Sequence, residues 1–353
     1  MAAADTTEQT PWARRSRRLW RLVGSVLLAG LFVGILLSQL ELADLTSLLR
    51  SVSGLWVLGA VGAYMAMAIA RGVRFWLMTK RSTSIVRLSA IAGAQALLLS
   101  ILPMRTGEVS FVGLLGRERG VGVSWASKIL VAVRLLDLAA VSIIFIIAAS
   151  ISSDVPVAAR AVIPLATLGL AAPVGLLAWP AQVAGVVRRP VMWVVGNPLL
   201  GRLPGISKLS GFLDRTMSVS DPRWFRRMLP GLLALSVAVW GASTLLAYAC
   251  LRALAVPVGG LEAAFLTSIL VLSSVLPVHG IGGYGPQNAI GAGLLMSLGI
   301  ARHVAIPAHL AWHTLQLAIA AVVGAVGWLI TTATEPRGSG EVVPATGADG
   351  REE

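Results

Sequence analysis

Apolar runs long enough to cross a bilayer recur along this chain, at about 19–40, 54–70, 125–151, 161–179, 229–251 and 304–332. A hydrocarbon core roughly 30 Å thick is crossed by about twenty such residues only as a helix, because lipid offers the backbone no hydrogen-bond partner and a helix satisfies it internally. Composition agrees: 56% of residues are apolar and 13% charged, and the mean hydropathy is +0.81, far outside the soluble range. The chain is therefore read as all-α, a polytopic helical membrane protein with six full spans. The single cysteine, Cys250, lies in an apolar run, so no disulfide within the chain is possible.

Two further apolar runs are broken. Leu99 to Gly116 reads LSILPMRTGEVSFVGLLG, and Leu272 to Leu295 reads LSSVLPVHGIGGYGPQNAIGAGLL. In each, an apolar run reaches Leu-Pro, then a basic or polar residue (Arg105, His279), then glycine, then a second short apolar run. About fifteen helical residues cover roughly 22 Å, too little to cross alone. Each is read as a re-entrant hairpin, at 87–116 and 261–299, that leaves by the face it entered. Matched Pro/Gly-broken segments in two halves of a chain point to the binding site of a transporter.

The net charge of +13 is concentrated in loops and at helix ends. Arg14, Arg15, Arg17 and Arg18 place residues 1–18 in the cytoplasm. The segment 181–228 holds eight bases against Asp214 and Asp221, and is read as a cytoplasmic linker whose Trp224 and Phe225 help it lie on anionic lipid. The first transmembrane half is then 19–180 and the second 229–333, and the Gly-rich acidic tail 334–353 is expected to be disordered. Both termini fall inside a multi-pass protein of the plasma membrane. With this topology the first hairpin opens from the cytoplasm and the second from outside, so the two halves form an inverted repeat. Nucleic-acid binding is not expected, since no soluble basic domain is present.

The stretches RGVRFWL, LPMRTGEV with LLGRERG, VAVRLLDL and LPVHGIGGYG, in that order, resemble those of the lysylphosphatidylglycerol synthase transmembrane family, also called flippase-like or AglD-like proteins. The resemblance covers residues 15 to 333 and implies a helical membrane fold with re-entrant segments that moves a lipid between leaflets. The soluble aminoacyl-transferring domain of some members has no counterpart here. Three positions depart from the family pattern. Phe111 stands where a base is common, Val133 where an acid is, and GYGPQNA, with Gln287 and Asn288, where a Glu often follows the glycine-rich turn.

Ionisable groups at bilayer depth are costly, so each is a candidate for function. Arg105 and Glu108, at the first break, suit a lipid phosphate and a group that orients it; alternatively they neutralise each other. Arg134 and Asp137 lie three apart, the spacing of a structural ion pair, with Arg134 a second possible phosphate ligand. Arg71 and Arg74 end their span either snorkelling to the interface or lining a vestibule for anionic heads. His279 is the counterpart of Arg105, and Gly280, Gly282 and Gly283 would let backbone amides approach an anion. His309 and His313 have metal-ligand spacing but lack further ligands, and are expected to line a polar cavity with Gln316. No metal and no cofactor are expected. The leading expectation is a translocase for an anionic lipid, not an enzyme; a membrane-embedded transferase and a recruitment partner acting through the linker are the alternatives. Oligomeric state is not legible.

Overall fold

The computed structural model describes residues 52–101, 106–179, 222–273 and 286–333. Within them the chain forms helices α1 (Gly54–Met78), α2 (Ile85–Ile101), α3 (Thr106–Gly116), α4 (Gly122–Ile151), α5 (Val157–Arg160), α6 (Ile163–Ala178), α7 (Pro222–Ala253), α8 (Gly260–Ser273), α9 (Pro286–Ser297) and α10 (Arg302–Ala333). No strand occurs among the described residues. Five segments there are long and apolar enough to span a membrane: Gly54–Met78, Gly122–Ile151, Val157–Ala178, Arg223–Ala253 and Arg302–Thr331. The expected first span, the acidic tail and most of the basic linker lie outside the described residues.

Two boundaries differ from the sequence expectation. The second span runs on to Met78 instead of ending near Ala70, because Arg71 and Arg74 turn toward the protein interior and do not end the helix. The last residues assigned to the linker belong to α7, which starts at Pro222. Proline is favoured in a first turn, where its missing N–H is not needed, and Phe225, 2% exposed, anchors that turn in the same apolar cluster as Leu229 and Leu232.

The broken runs separate into short arms. α2 and α3 flank residues 102–105, and α8 and α9 flank 274–285; both breaks lie outside the described residues. α2 has 17 residues and α8 has 14, roughly 25 and 21 Å at 1.5 Å per residue. The two ends of the first broken run are tied together, since the Arg87 Nε–H donates to both Glu118 carboxylate oxygens at 2.8 and 2.9 Å.

Packing is organised by antiparallel pairs. At one end of the α1/α7 pair the Ser53 N–H donates to the Ala253 carbonyl at 3.0 Å; toward the other, Arg74 donates to the Ser236 hydroxyl at 2.8 Å. α2 packs on α10, and α8 packs on α4. In the α8/α4 pair the Phe145 and Phe265 rings lie 6.2 Å apart and the Ser152 hydroxyl donates to Glu262 at 2.7 Å. Large apolar side chains face outward where lipid would lie, Leu55 being 78% and Leu165 68% exposed.

The α2/α10 pair approaches closely because its seam is built of small residues, as membrane helix contacts require. A Cβ on Gly327 would lie 2.5 Å from the Ala90 carbonyl oxygen, and one on Gly324 would lie 2.4 Å from the Leu97 Cβ. Backbone cannot yield there. Gly327→Val is expected to cost about 1–3 kcal/mol by forcing the helices apart, seen as a lower thermal midpoint in detergent. Gly113→Ala, where a Cβ meets nothing within 4 Å, should not lower it.

Candidate functional site

A cavity of about 290 Å³ lies between α1, α7, α8 and α10, with Leu99 of α2 and Gln287 of α9 also on its wall. Helical periodicity explains how it is lined. Tyr64, Met67 and Arg71 on α1 fall at three- and four-residue steps, as do Trp240, Ser243 and Ala247 on α7, and His309, Trp312, His313 and Gln316 on α10. Each set is therefore one face of its helix. Leu99 stands three residues before residue 102, just past the end of α2, Val271 three before residue 274, and Gln287 two after residue 285. The wall is thus shared by both halves of the chain and drawn from helix ends at both breaks.

The stripe on α1 continues one step to Arg74, and there the cavity gives way to a charge cluster that is buried at Arg74 and Asp137 and opens outward at Arg134. The Arg74 side chain is 1% exposed and donates to the Asp137 carboxylate of α4 and to Ser236 of α7. Ser236 in turn donates to the Leu232 carbonyl at 2.9 Å. Arg134 donates to Glu108 of α3 at 2.7 Å, while its other terminal nitrogen stands 3.9 Å from Asp137. Two arginine–carboxylate pairs therefore hold α1, α3 and α4 together, and the Arg74–Ser236 hydrogen bond adds α7. Neither carboxylate is placed as a free base, since each faces an arginine.

Arg71 differs from its neighbours. It is half-buried on the cavity wall, and among the described residues it makes no ion pair. Asp137 and Tyr64 act on it only through space. A guanidinium on a cavity wall without a carboxylate in contact is a natural anchor for a phosphate, which it can bind with two parallel N–H donors.

A second polar group is assembled from α9 and α10. The Asn288 amide, 1% exposed, lies 3.3 Å from His313 Nδ1 and 3.5 Å from His309 Nδ1. The His309 ring stacks edge-on against Trp312 with centroids 4.9 Å apart. This closeness requires glycine at 291, since a Cβ there would lie on top of the His309 ring, 1.8 Å from Nε2. Gly291 is a position where only the absent side chain lets α9 approach α10.

The residues singled out from sequence distribute as follows. Arg71, His309, His313 and Gln316 line one cavity; Arg74, Glu108, Arg134 and Asp137 form the adjoining cluster. Arg105, His279, Gly280, Gly282 and Gly283 lie outside the described residues. The i, i+3 pair expected of Arg134 and Asp137 is only a 3.9 Å contact, because each finds a closer partner on another helix. The snorkelling alternative for Arg74 is also corrected: its head is in the interior, where Asp137 and Ser236 replace water. Tyr64, Trp240, Ser243, Thr267 and Trp312 were not anticipated. Their only sequence signal was a polar-tipped residue recurring at helical spacing within an apolar run.

Comparison with known families matches residues 22–324 to the family described as lysylphosphatidylglycerol synthase TM region. No curated protein and no solved structure matches the chain.

Proposed function

The chain belongs to the lysylphosphatidylglycerol synthase TM family, a group of membrane proteins tied to lipids, and from that premise we propose that it moves an anionic lipid between leaflets without altering it. In this reading the head group crosses through the polar cavity, where Arg71 binds its phosphate, while the hydrocarbon chains stay in apolar surroundings. The observation that carries the proposal is that a cavity bearing polar groups and an apolar groove both lie against one end of α8. A second concavity, about 520 Å³, lies between α4 and α6 and is lined almost entirely by apolar residues, among them Leu138, Leu168, Ala172 and Leu272. Leu272 lies on this groove and Val271, the preceding residue of α8, lies on the cavity. One end of α8 therefore touches a place for a head and a place for a chain.

The packing supports the expected inverted repeat. If α1 to α4 are matched to α7 to α10 in order, exchanging the halves turns the α2/α10 contact into the α8/α4 contact, and maps α1/α7 onto itself. The antiparallel course of α1 and α7 is what matching spans of opposite orientation produce. The Arg87–Glu118 link between the ends of the first broken run supports a re-entrant hairpin, because it keeps both ends at one level. Alternating access follows if the two halves rock about the shared cavity. A transferase is less well supported, because a general base must be free to take a proton and the deep carboxylates Glu108 and Asp137 are both held by arginines.

The groove supplies the test. Ala172 lines it and is exposed, so Ala172→Trp fills the groove without displacing core. Phosphatidylglycerol movement in proteoliposomes should fall at least about tenfold, equivalent to roughly 1.4 kcal/mol, with the thermal midpoint unchanged. An unchanged rate would remove the groove from the pathway.

A further inference from the structure

The charge inventory of the cavity extends the transport reading, on which the following rests, to a class of head group. We infer that this cavity accepts heads built of phosphate and hydroxyls and rejects heads that bear an ammonium, such as an aminoacylated phosphatidylglycerol. Among the described residues on its wall Arg71 is the one with a permanent charge, and none is an aspartate or glutamate. The sequence that links α2 to α3 and α8 to α9, 102–105 and 274–285, contains no acid either. The nearest carboxylates are already engaged, Asp137 by Arg74 and Glu108 by Arg134. An ammonium entering this space would face a guanidinium and find no free anion among the described residues of the wall, which is the costly way to remove a charge from water.

The neutral groups favour the same class. Gln287, Gln316 and Ser243 can each donate and accept, which suits hydroxyls. Trp240 Nε1, Trp312 Nε1 and Thr267 Oγ1 are buried polar atoms of the wall without a hydrogen-bond partner among the described residues. Indole N–H groups can only donate, so what would relieve them is an acceptor oxygen, and an ammonium offers none. At about 290 Å³ the space is sized for a head and not for chains.

Discrimination is tested on the full-length protein reconstituted in bilayers of phosphatidylcholine holding equal amounts of phosphatidylglycerol, phosphatidylethanolamine and lysyl-phosphatidylglycerol. Lipids retained after extraction are quantified by mass spectrometry, and movement of each is followed in parallel with impermeant periodate for the glycerol diol and an impermeant amine reagent for the others. Wild type should retain phosphatidylglycerol over both amines by at least about tenfold. Gln287→Glu, and Gln316→Glu as an independent variant should the first fail to fold, place a carboxylate on the wall and should shift that ratio toward the lysyl lipid by about tenfold or more. Equal or preferential retention of the lysyl lipid by wild type would overturn the inference. So would selectivity that survives in Arg71→Ala, because it would then come from the basic surface. Selective retention without movement of any lipid would instead contradict transport and leave the selectivity standing.

Discussion

Arg71→Ala abolishes most protein-dependent movement of phosphatidylglycerol while the protein still folds and purifies as wild type does. The expectation follows from where Arg71 stands. It lines the cavity and makes no ion pair among the described residues, so its removal breaks no structural contact of that kind. Its loss removes a charge-assisted hydrogen bond to the passing phosphate, about 1.5–3 kcal/mol, or roughly ten- to a hundred-fold in affinity. Arg71→Lys keeps the charge but not the planar fork, and should recover part of the rate. Binding and movement are read by phosphatidylglycerol titration, and folding by thermal midpoint. A variant that moves lipid as fast as wild type would dismiss Arg71 as the anchor.

Arg74→Ala has the opposite signature, a large loss of stability. The Arg74 side chain is 1% exposed and Asp137 12%, so removing the arginine leaves a carboxylate deep in the protein whose remaining ion-pair contact among the described residues is Arg134 at 3.9 Å. Breaking a buried pair from one side costs about 3–5 kcal/mol, because the partner remains buried and charged. Arg74→Ala with Asp137→Ala removes both charges and should be clearly more stable than Arg74→Ala alone. Thermal unfolding of the two singles and the double closes the cycle. Additive losses would mean that the two side chains do not act as a pair. The contrast between Arg71 and Arg74, one step apart on the same helix face, separates an anchor for the lipid from a fastener of the fold.

The fold and site were legible in sequence to the extent that they depend on local pattern. Length and hydropathy located the five spans found among the described residues, and Leu-Pro followed by glycine marked where helix gives out, so the arms at Ile85–Ile101, Thr106–Gly116, Gly260–Ser273 and Pro286–Ser297 match the expected segments to within a few residues. His309, His313 and Gln316 were legible as cavity residues because polar side chains at positions four and three apart must share a helix face. Partner choice was not legible. Spacing reveals only pairs within one helix, and so it favoured Arg134 with Asp137. The closer contacts reach across 26 residues from Arg134 to Glu108 and across 63 from Arg74 to Asp137. Those pairs are set by how α1, α3 and α4 meet. The wall residues Trp240 and Trp312 were hidden for a related reason: an indole in an apolar run looks like any lipid-facing or core residue until the neighbouring helices enclose it. The sequence placed the end of α1 too early because it treated arginines as terminators. In the structure Asp137 and Ser236 supply Arg74 with the partners that water would otherwise provide.

The measurement that bears most directly on the central claim is the fraction of phosphatidylglycerol open to impermeant periodate in proteoliposomes of the wild-type protein. If the polar cavity conducts the head of an anionic lipid, oxidation continues past the outer-leaflet pool until the inner pool is consumed, and Arg71→Ala vesicles stop near the outer pool. Wild-type vesicles that plateau with protein-free ones, although the protein in them is folded and the bilayer intact, would contradict lipid movement through this cavity.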